Sequence, residues 1–207
     1  MENTKELSPK KKAIYEAIIE LFGQGADLST LTVAEITSKA GIGKGTAYEY
    51  FSDKDEMIAK AIFYHVEQFC NGLYEEMQKE NGLYEKMMFT LHVVEKEIAE
   101  SNCVFRLIHA MTDNSLLGKK MQMLEETQTQ HGFILRDMVR KLIIDECGED
   151  KMPSEEKVEY LIICLLSKMV CYGMLLKKTI LMQDKQRDEL RKTMCDGICK
   201  EFYEVIG

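Results

Sequence analysis

The stretch TVAEITSKAGIGKGTAYEYF, residues 32–51, decides how this chain is read. Thr32 and Glu35 stand three apart just ahead of Ile36. That is the spacing of a capping box, in which the hydroxyl accepts from the third helical N–H and the carboxylate accepts from the Thr N–H. Leu31 and Ile36 occupy the matching hydrophobic-staple positions. A short helix is therefore expected from Thr32 to about Lys39, ended by Gly41, which is free to take left-handed backbone. A further helix is expected over 44–51, with Ala47 and Phe51 inward at a spacing of four and Lys44, Thr46, Tyr48 and Tyr50 around the rim. A core helix would carry Leu and Ala at those rim positions, so this one is expected to face something outside the protein.

Working outward, Ser8-Pro9 suits an N-cap followed by proline in the first turn, where its missing N–H costs nothing. Ile14, Ala17, Ile18, Leu21 and Phe22 then recur at three and four residues, an amphipathic helix closed near Gly23 and Gly25. Asp53, Asp55 and Glu56 open a longer helix, with acids where the helix dipole favours them. Gly72 and the run Glu80-Asn81-Gly82 are expected to end it. Helices over 83–99, 104–111, 119–146, 154–182 and 184–205 follow. The expected fold class is all-α: a three-helix N-terminal helix-turn-helix domain over 1–54 and a C-terminal helical domain over 55–207.

Composition agrees. With 45% of the 207 residues apolar there is material for a real core, and only 2 prolines interrupt the helical pattern. The N-terminus lacks an apolar leader, and no stretch of about eighteen residues is uninterruptedly apolar, so a cytoplasmic protein without a membrane partner is expected. Seven scattered cysteines fit buried thiols in a reducing compartment better than a disulfide framework. The net charge of −8 argues mildly against nucleic acid, and residues 1–55 hold 7 Lys against 9 Asp or Glu. Any contact with DNA must come from placement rather than from a general field.

Two short helices about a tight turn let one helix lie in the major groove while the other crosses the backbone. Lys44 is a long cation at the entering end, Thr32 and Thr46 offer hydroxyls, and Tyr48 and Tyr50 offer phenols to phosphate oxygens. Gly45 lets the backbone come close, and Lys54 adds a cation beside a helix start. At fixed spacings, Thr32, Ala40-Gly41, Lys44-Gly45-Thr46, Tyr48, Phe51 and Lys54 make residues 12–64 resemble the DNA-binding domain of the tetracycline-repressor (TetR) family. The resemblance implies phosphate contacts from Thr32, Thr46, Tyr48, Tyr50 and Lys54, and groove contacts from Lys44 and Gly45. Gly43 and Ala47 depart from the usual pattern, the first removing a side-chain cap and the second replacing Leu. Glu49 sits on the same helix with its role open.

The resemblance further implies a double-stranded DNA operator, an unknown small-molecule effector in the second domain, and a homodimer through the last two helices. Between 158 and 176 nearly every side is apolar, and Leu190, Met194, Ile198, Phe202 and Val205 make a stripe; together they suit half of a four-helix bundle completed by a second copy. Phe89, His92, Phe105, Arg106, His109, Met138, Met169 and Tyr172 are the candidate effector residues, an adaptable apolar lining with a few polar groups. No metal site and no cofactor are expected, the cysteines reading as inert. No phosphate-binding Gly-rich loop, nucleophile elbow or His-Glu-x-x-His is present, so no enzyme is expected. The competing reading is a helical dimerisation or adaptor module that does not bind DNA, and within the DNA-binding class an activator or a metal or thiol sensor.

Overall fold

The computed structural model describes residues 7–100, 134–178 and 183–207, and every regular element among them is helical. α1 spans Pro9–Gly23, α2 Val33–Lys39, α3 Lys44–Tyr48, α4 Lys54–Met77, α5 Gly82–Glu100, α6 Ile134–Cys147, α7 Glu155–Lys178 and α8 Asp184–Ile206, with a 3-10 turn at Glu149–Lys151. The helix expected over 104–111 and the start of that over 119–146 lie outside the described residues, as do Cys103, Phe105, Arg106, His109 and Phe133. α4 runs through Gly72 and ends at Met77, ahead of Glu80-Asn81-Gly82. A single helical Gly costs only about 1 kcal/mol, which the apolar face on either side outweighs.

Two compact units meet in the sequence inside α4, between Gln68 and Phe69. Met57, Ile58, Ala61, Ile62 and Val66 of this helix are buried. The Tyr64 ring lies 5.4 Å from Tyr15 of α1, so the first turns of α4 belong to the first unit's core. In that core Ile14, Ile18 and Phe22 of α1 are buried with Leu31, Ile36, Ala47 and Phe51. Each such side chain contributes roughly 1.5–3 kcal/mol of burial free energy.

In the second unit α5 packs on α7 and α8, α6 on α7, and α7 on α8. Leu83, Met87 and Leu91 meet Val139, Leu142, Ile143, Leu161, Ile198 and Phe202 in one cluster. Two cations are buried with their counter-charges: Lys86 Nζ lies 2.6 Å from Glu146, and Arg191 Nη1 lies 2.8 Å from Glu95. The Glu95 carboxylate also accepts from the buried Tyr172 hydroxyl. The stripe of α8 faces this core, Ile198 and Phe202 fully and Leu190, Met194 and Val205 in part.

α7 is different, for Val158, Leu161, Ile162 and Tyr172 are buried while Tyr160, Ile163 and Met174 stand exposed. By length and composition its stretch Glu155–Leu176, with mean hydropathy 1.7, is apolar enough to cross a membrane, against the expectation from uninterrupted runs. Its charged residues are nevertheless engaged with neighbouring helices, Glu155 with Arg140 and Lys168 with Glu201.

Candidate nucleic-acid interface

The capping box forms as the spacing predicts. The Glu35 N–H donates to Thr32 Oγ1 at 3.2 Å, and the Glu35 carboxylate accepts from the Thr32 N–H at 2.8 Å. Those hydrogen bonds, from the Thr32 hydroxyl first and its backbone second, hold the Glu35 carboxyl below the usual range. At the other end of α2, Gly41 takes φ +68°. The Ile42 N–H then reaches Thr37 O and the Gly41 N–H reaches Ser38 O. This paired closure is the Schellman motif, and it turns the chain sharply within four residues.

α3 starts at Gly43, which gives no side-chain cap. It spans only Lys44–Tyr48 rather than reaching Phe51. Beyond Tyr48 the backbone tightens, the Tyr50 N–H bonding to Ala47 O three residues back. Ala47 is fully buried and Phe51 nearly so. Lys44 and Gly45 are exposed, Thr46 is half-buried, and Tyr48 is 54% exposed. No described residue pairs with Lys44. Among the described residues a Cβ built on Gly45 would meet nothing within 4 Å, so none of them requires glycine there.

The remaining candidates are more engaged. Thr32 is exposed but already spends its hydroxyl on the cap. Lys54, the first residue of α4, donates to Ser29 O at 2.8 Å, tying that helix start to the loop before α2. Tyr50 is half-buried, and Lys11 of α1 holds its Nζ 5.6 Å from the Tyr50 ring centre. Sequence reasoning passed over Lys11, although three consecutive lysines at 10–12 stood in view; no spacing rule links them to a tyrosine thirty-nine residues later.

The effector candidates are spread along the second unit. Phe89, Met138 and Met169 are partly buried against its core, and Tyr172 is buried. His92 is exposed on α5 with Nδ1 2.9 Å from its own helix's Met88 O, so it points to solvent rather than inward. Glu95 and Arg191, which hold Tyr172 in its buried position, were not foreseen. Cys70 and Cys195 are buried, whereas Cys171 is exposed and Cys147, Cys164 and Cys199 are intermediate, so burial is not common to all the thiols. Burial pushes Cys195 up to about 12 and Cys199 up to about 11, leaving both as unreactive thiols at neutral pH. Among the described residues no group of three or more His, Cys, Asp or Glu could hold a metal ion.

A five-residue helix buried on one side, aimed by a capped helix and a tight turn, with a cation and a phenol outward, defines a helix-turn-helix protein of the DNA-binding class. Residues 14–61 match the profile described as bacterial regulatory proteins, tetR family. The match gives residues 14–61 the DNA-binding domain of that family. A comparison with curated protein sequences finds no match.

Among solved structures, a tetR-family transcriptional regulator from Streptomyces coelicolor aligns with TM-score 0.62 at 14% identity, over 96% of this chain and 82% of that one. A putative fatty acid metabolism regulator from Clostridium perfringens aligns with TM-score 0.58 at 21% identity, over 89% of this chain and 97% of that one. FadR from Bacillus subtilis, in complex with stearoyl-CoA, aligns with TM-score 0.56 at 14% identity, over 90% and 96%. At these identities the likeness is one of fold.

Proposed function

We propose that the chain is a homodimeric, cytoplasmic repressor that two copies of the α3 face dock onto a near-palindromic operator, and that a small-molecule effector releases. Lys44 and Gly45 enter the major groove, while Thr32, Thr46, Tyr48, Tyr50 and Lys54 contact phosphates. The observation that carries the reading is the division of α3, with Ala47 sealed in the core while Lys44 and Tyr48 stand free. The exposed apolar residues Tyr160, Ile163 and Met174 of α7 supply the dimer contact, joined by Tyr203 of α8. Exposed large apolar groups on one helix mark a surface that another protein covers.

The effector we propose is a long apolar chain on an anionic head, of the kind that an acyl-coenzyme A presents. The stearoyl-CoA in the Bacillus subtilis FadR structure suggests the class. Phe89, Met138, Met169 and Tyr172 form the apolar side of the site, the thioethers adapting to chain length. Effector and DNA then compete by preferring different arrangements of the molecule, a population shift.

Titrating salt against duplex binding is the test. Counterion release makes the logarithm of affinity fall with a slope of about −0.9 per phosphate contacted, so a steep line is expected. A flat line would favour the adaptor reading. Stearoyl-CoA is expected to raise the melting temperature and weaken DNA binding, with coenzyme A alone doing neither.

A further inference from the structure

We infer that the lysines opening α1 make a second contact with the phosphate backbone of the same duplex, Lys11 holding Tyr50 in position while Lys10 reaches a neighbouring phosphate. This rests on the docking of α3 proposed above, and it adds residues that the helix-turn-helix spacing does not supply.

Helix starts carry partial positive charge, so acids there stabilise and lysines do the reverse. The described helices follow that rule with two exceptions. α2, α4, α5, α6, α7 and α8 each place at least one Asp or Glu in the first turn. α1 and α3 place none, and each has lysine there instead: Lys10, Lys11 and Lys12 in α1, Lys44 in α3. The net charge is −8, so these are not samples of a generally basic surface.

Lys11 joins the two exceptions physically. Its Nζ stands over the Tyr50 ring at 5.6 Å, an attraction between the cation and the electron-rich face. The stack fixes the phenol just beyond α3 and leaves the ammonium's N–H groups available to an anion. Lys10 is exposed and shares no ion pair with a described residue. Lys12 has only a loose 3.8 Å approach to Glu16, with both side chains more than half exposed, and its charge is barely offset. A polyanion lying on α3 and Tyr50 therefore comes to Lys11 as well, with Lys10 and Lys12 on either side of it in sequence. Lys10 and Lys11 both present cations to the backbone in this scheme, and Lys11 also positions Tyr50.

The test uses the full chain and a fluorescein-labelled duplex of mixed sequence, with affinity read by anisotropy across a salt series. Lys10→Ala and Lys11→Ala are each expected to reduce the salt slope by about one. Lys11→Arg keeps both cation and stack and is expected to restore the parental slope. In a Tyr50→Leu background, adding Lys11→Ala is expected to cost less than it does alone, because the two share one interaction. The inference is overturned if Lys10→Ala and Lys11→Ala leave the slope at the parental value while Lys54→Ala reduces it. A parental slope in Lys54→Ala as well would overturn the docking of α3 itself, and this inference with it. Melting curves of each variant separate loss of contact from loss of fold.

Discussion

The lysines around α3 and the cations between the helices of the second unit are placed in opposite ways. In the first, Lys10 and Lys44 lie exposed without a carboxylate among the described residues, and Lys11 faces an aromatic ring. In the second, Lys86 and Arg191 are buried and each is matched to an acid on another helix. A buried ion must be paired because desolvation is otherwise prohibitive, whereas an exposed one keeps its hydration and waits. The first arrangement suits a partner that brings its own negative charge. The second fixes the packing of helices whose remaining contacts are apolar and would tolerate sliding. The comparison therefore separates a surface built for an external polyanion from an interior built to hold one arrangement.

Breaking the interior pairing is expected to have the largest effect. Lys86 and Glu146 side chains are only 7% and 10% exposed, so Lys86→Ala leaves a carboxylate buried and unpaired. A loss of about 3–5 kcal/mol is expected in urea unfolding. The double variant Lys86→Met with Glu146→Leu should recover most of that, since it removes both charges. If the single variant unfolded at the parental urea concentration, the pair would be solvated rather than buried.

Next in size is the outer face of α7. Ile163 is 64% and Met174 55% exposed, so charging them is cheap for a lone chain. Ile163→Lys with Met174→Lys is expected to weaken self-association by about two orders of magnitude or more, typical of losing central interface residues. Sedimentation equilibrium reads this directly. An unchanged association constant would move the dimer contact elsewhere.

How much of this was legible in the sequence differs between the units for a physical reason. Local signals decide the first: Thr32 and Glu35 specify a cap, Gly41 a turn, and Ala47 with Phe51 an inward side, all within twenty residues. The second depends on distant pairs. Nothing near Arg191 in sequence marks Glu95 as its partner ninety-six residues earlier, or Tyr172 as sharing the same carboxylate. The apolar stripe of α8 was plain, but which body it faces was not, because a stripe looks alike whether it meets its own core or a second copy. Where the first unit ends is hard to read for a related reason: a helix such as α4 reads as continuous, and only long-range contact shows where one core stops.

The third effect bears on the exposed cations. Lys44→Ala is expected to cost about 1–3 kcal/mol on the preferred duplex and to relax sequence preference, whereas Lys54→Ala should weaken all duplexes alike. Lys54 also donates to Ser29 O, so its replacement is expected to lower the melting temperature slightly, and Lys44→Ala is not. Competition binding against randomised duplexes separates the two. Equal loss on every sequence for both variants would remove Lys44 from the groove.

Thr32 tests whether one side chain can serve fold and partner together. Thr32→Ala removes the cap of α2 and is expected to cost about 1 kcal/mol of stability. Thr32→Asp keeps a capping oxygen but sets a second carboxylate beside Glu35, so only part of that stability should return, while the added negative charge lowers duplex affinity. If Thr32→Asp bound DNA as tightly as the parent, Thr32 would be a structural residue alone.

The smallest effect concerns a carboxylate that the first unit keeps charged. Burial alone would raise the Glu56 carboxyl, but hydrogen bonds from Lys60 and Ser52 outweigh it and bring the group from 4.5 down to about 2. Ser52 donates through both its N–H and its hydroxyl, each at 2.6 Å, at the start of α4. A carboxylate lowered on folding contributes stability that is complete above its unfolded value and is lost as pH falls through its folded one. The window here runs from about 4.5 to about 2. Glu56→Gln cannot titrate, so the parent's advantage over it in urea midpoint should shrink across that window and vanish below it. A difference independent of pH would mean that the side chain acts through shape and neutral hydrogen bonds, and that the start of α4 owes nothing to its charge.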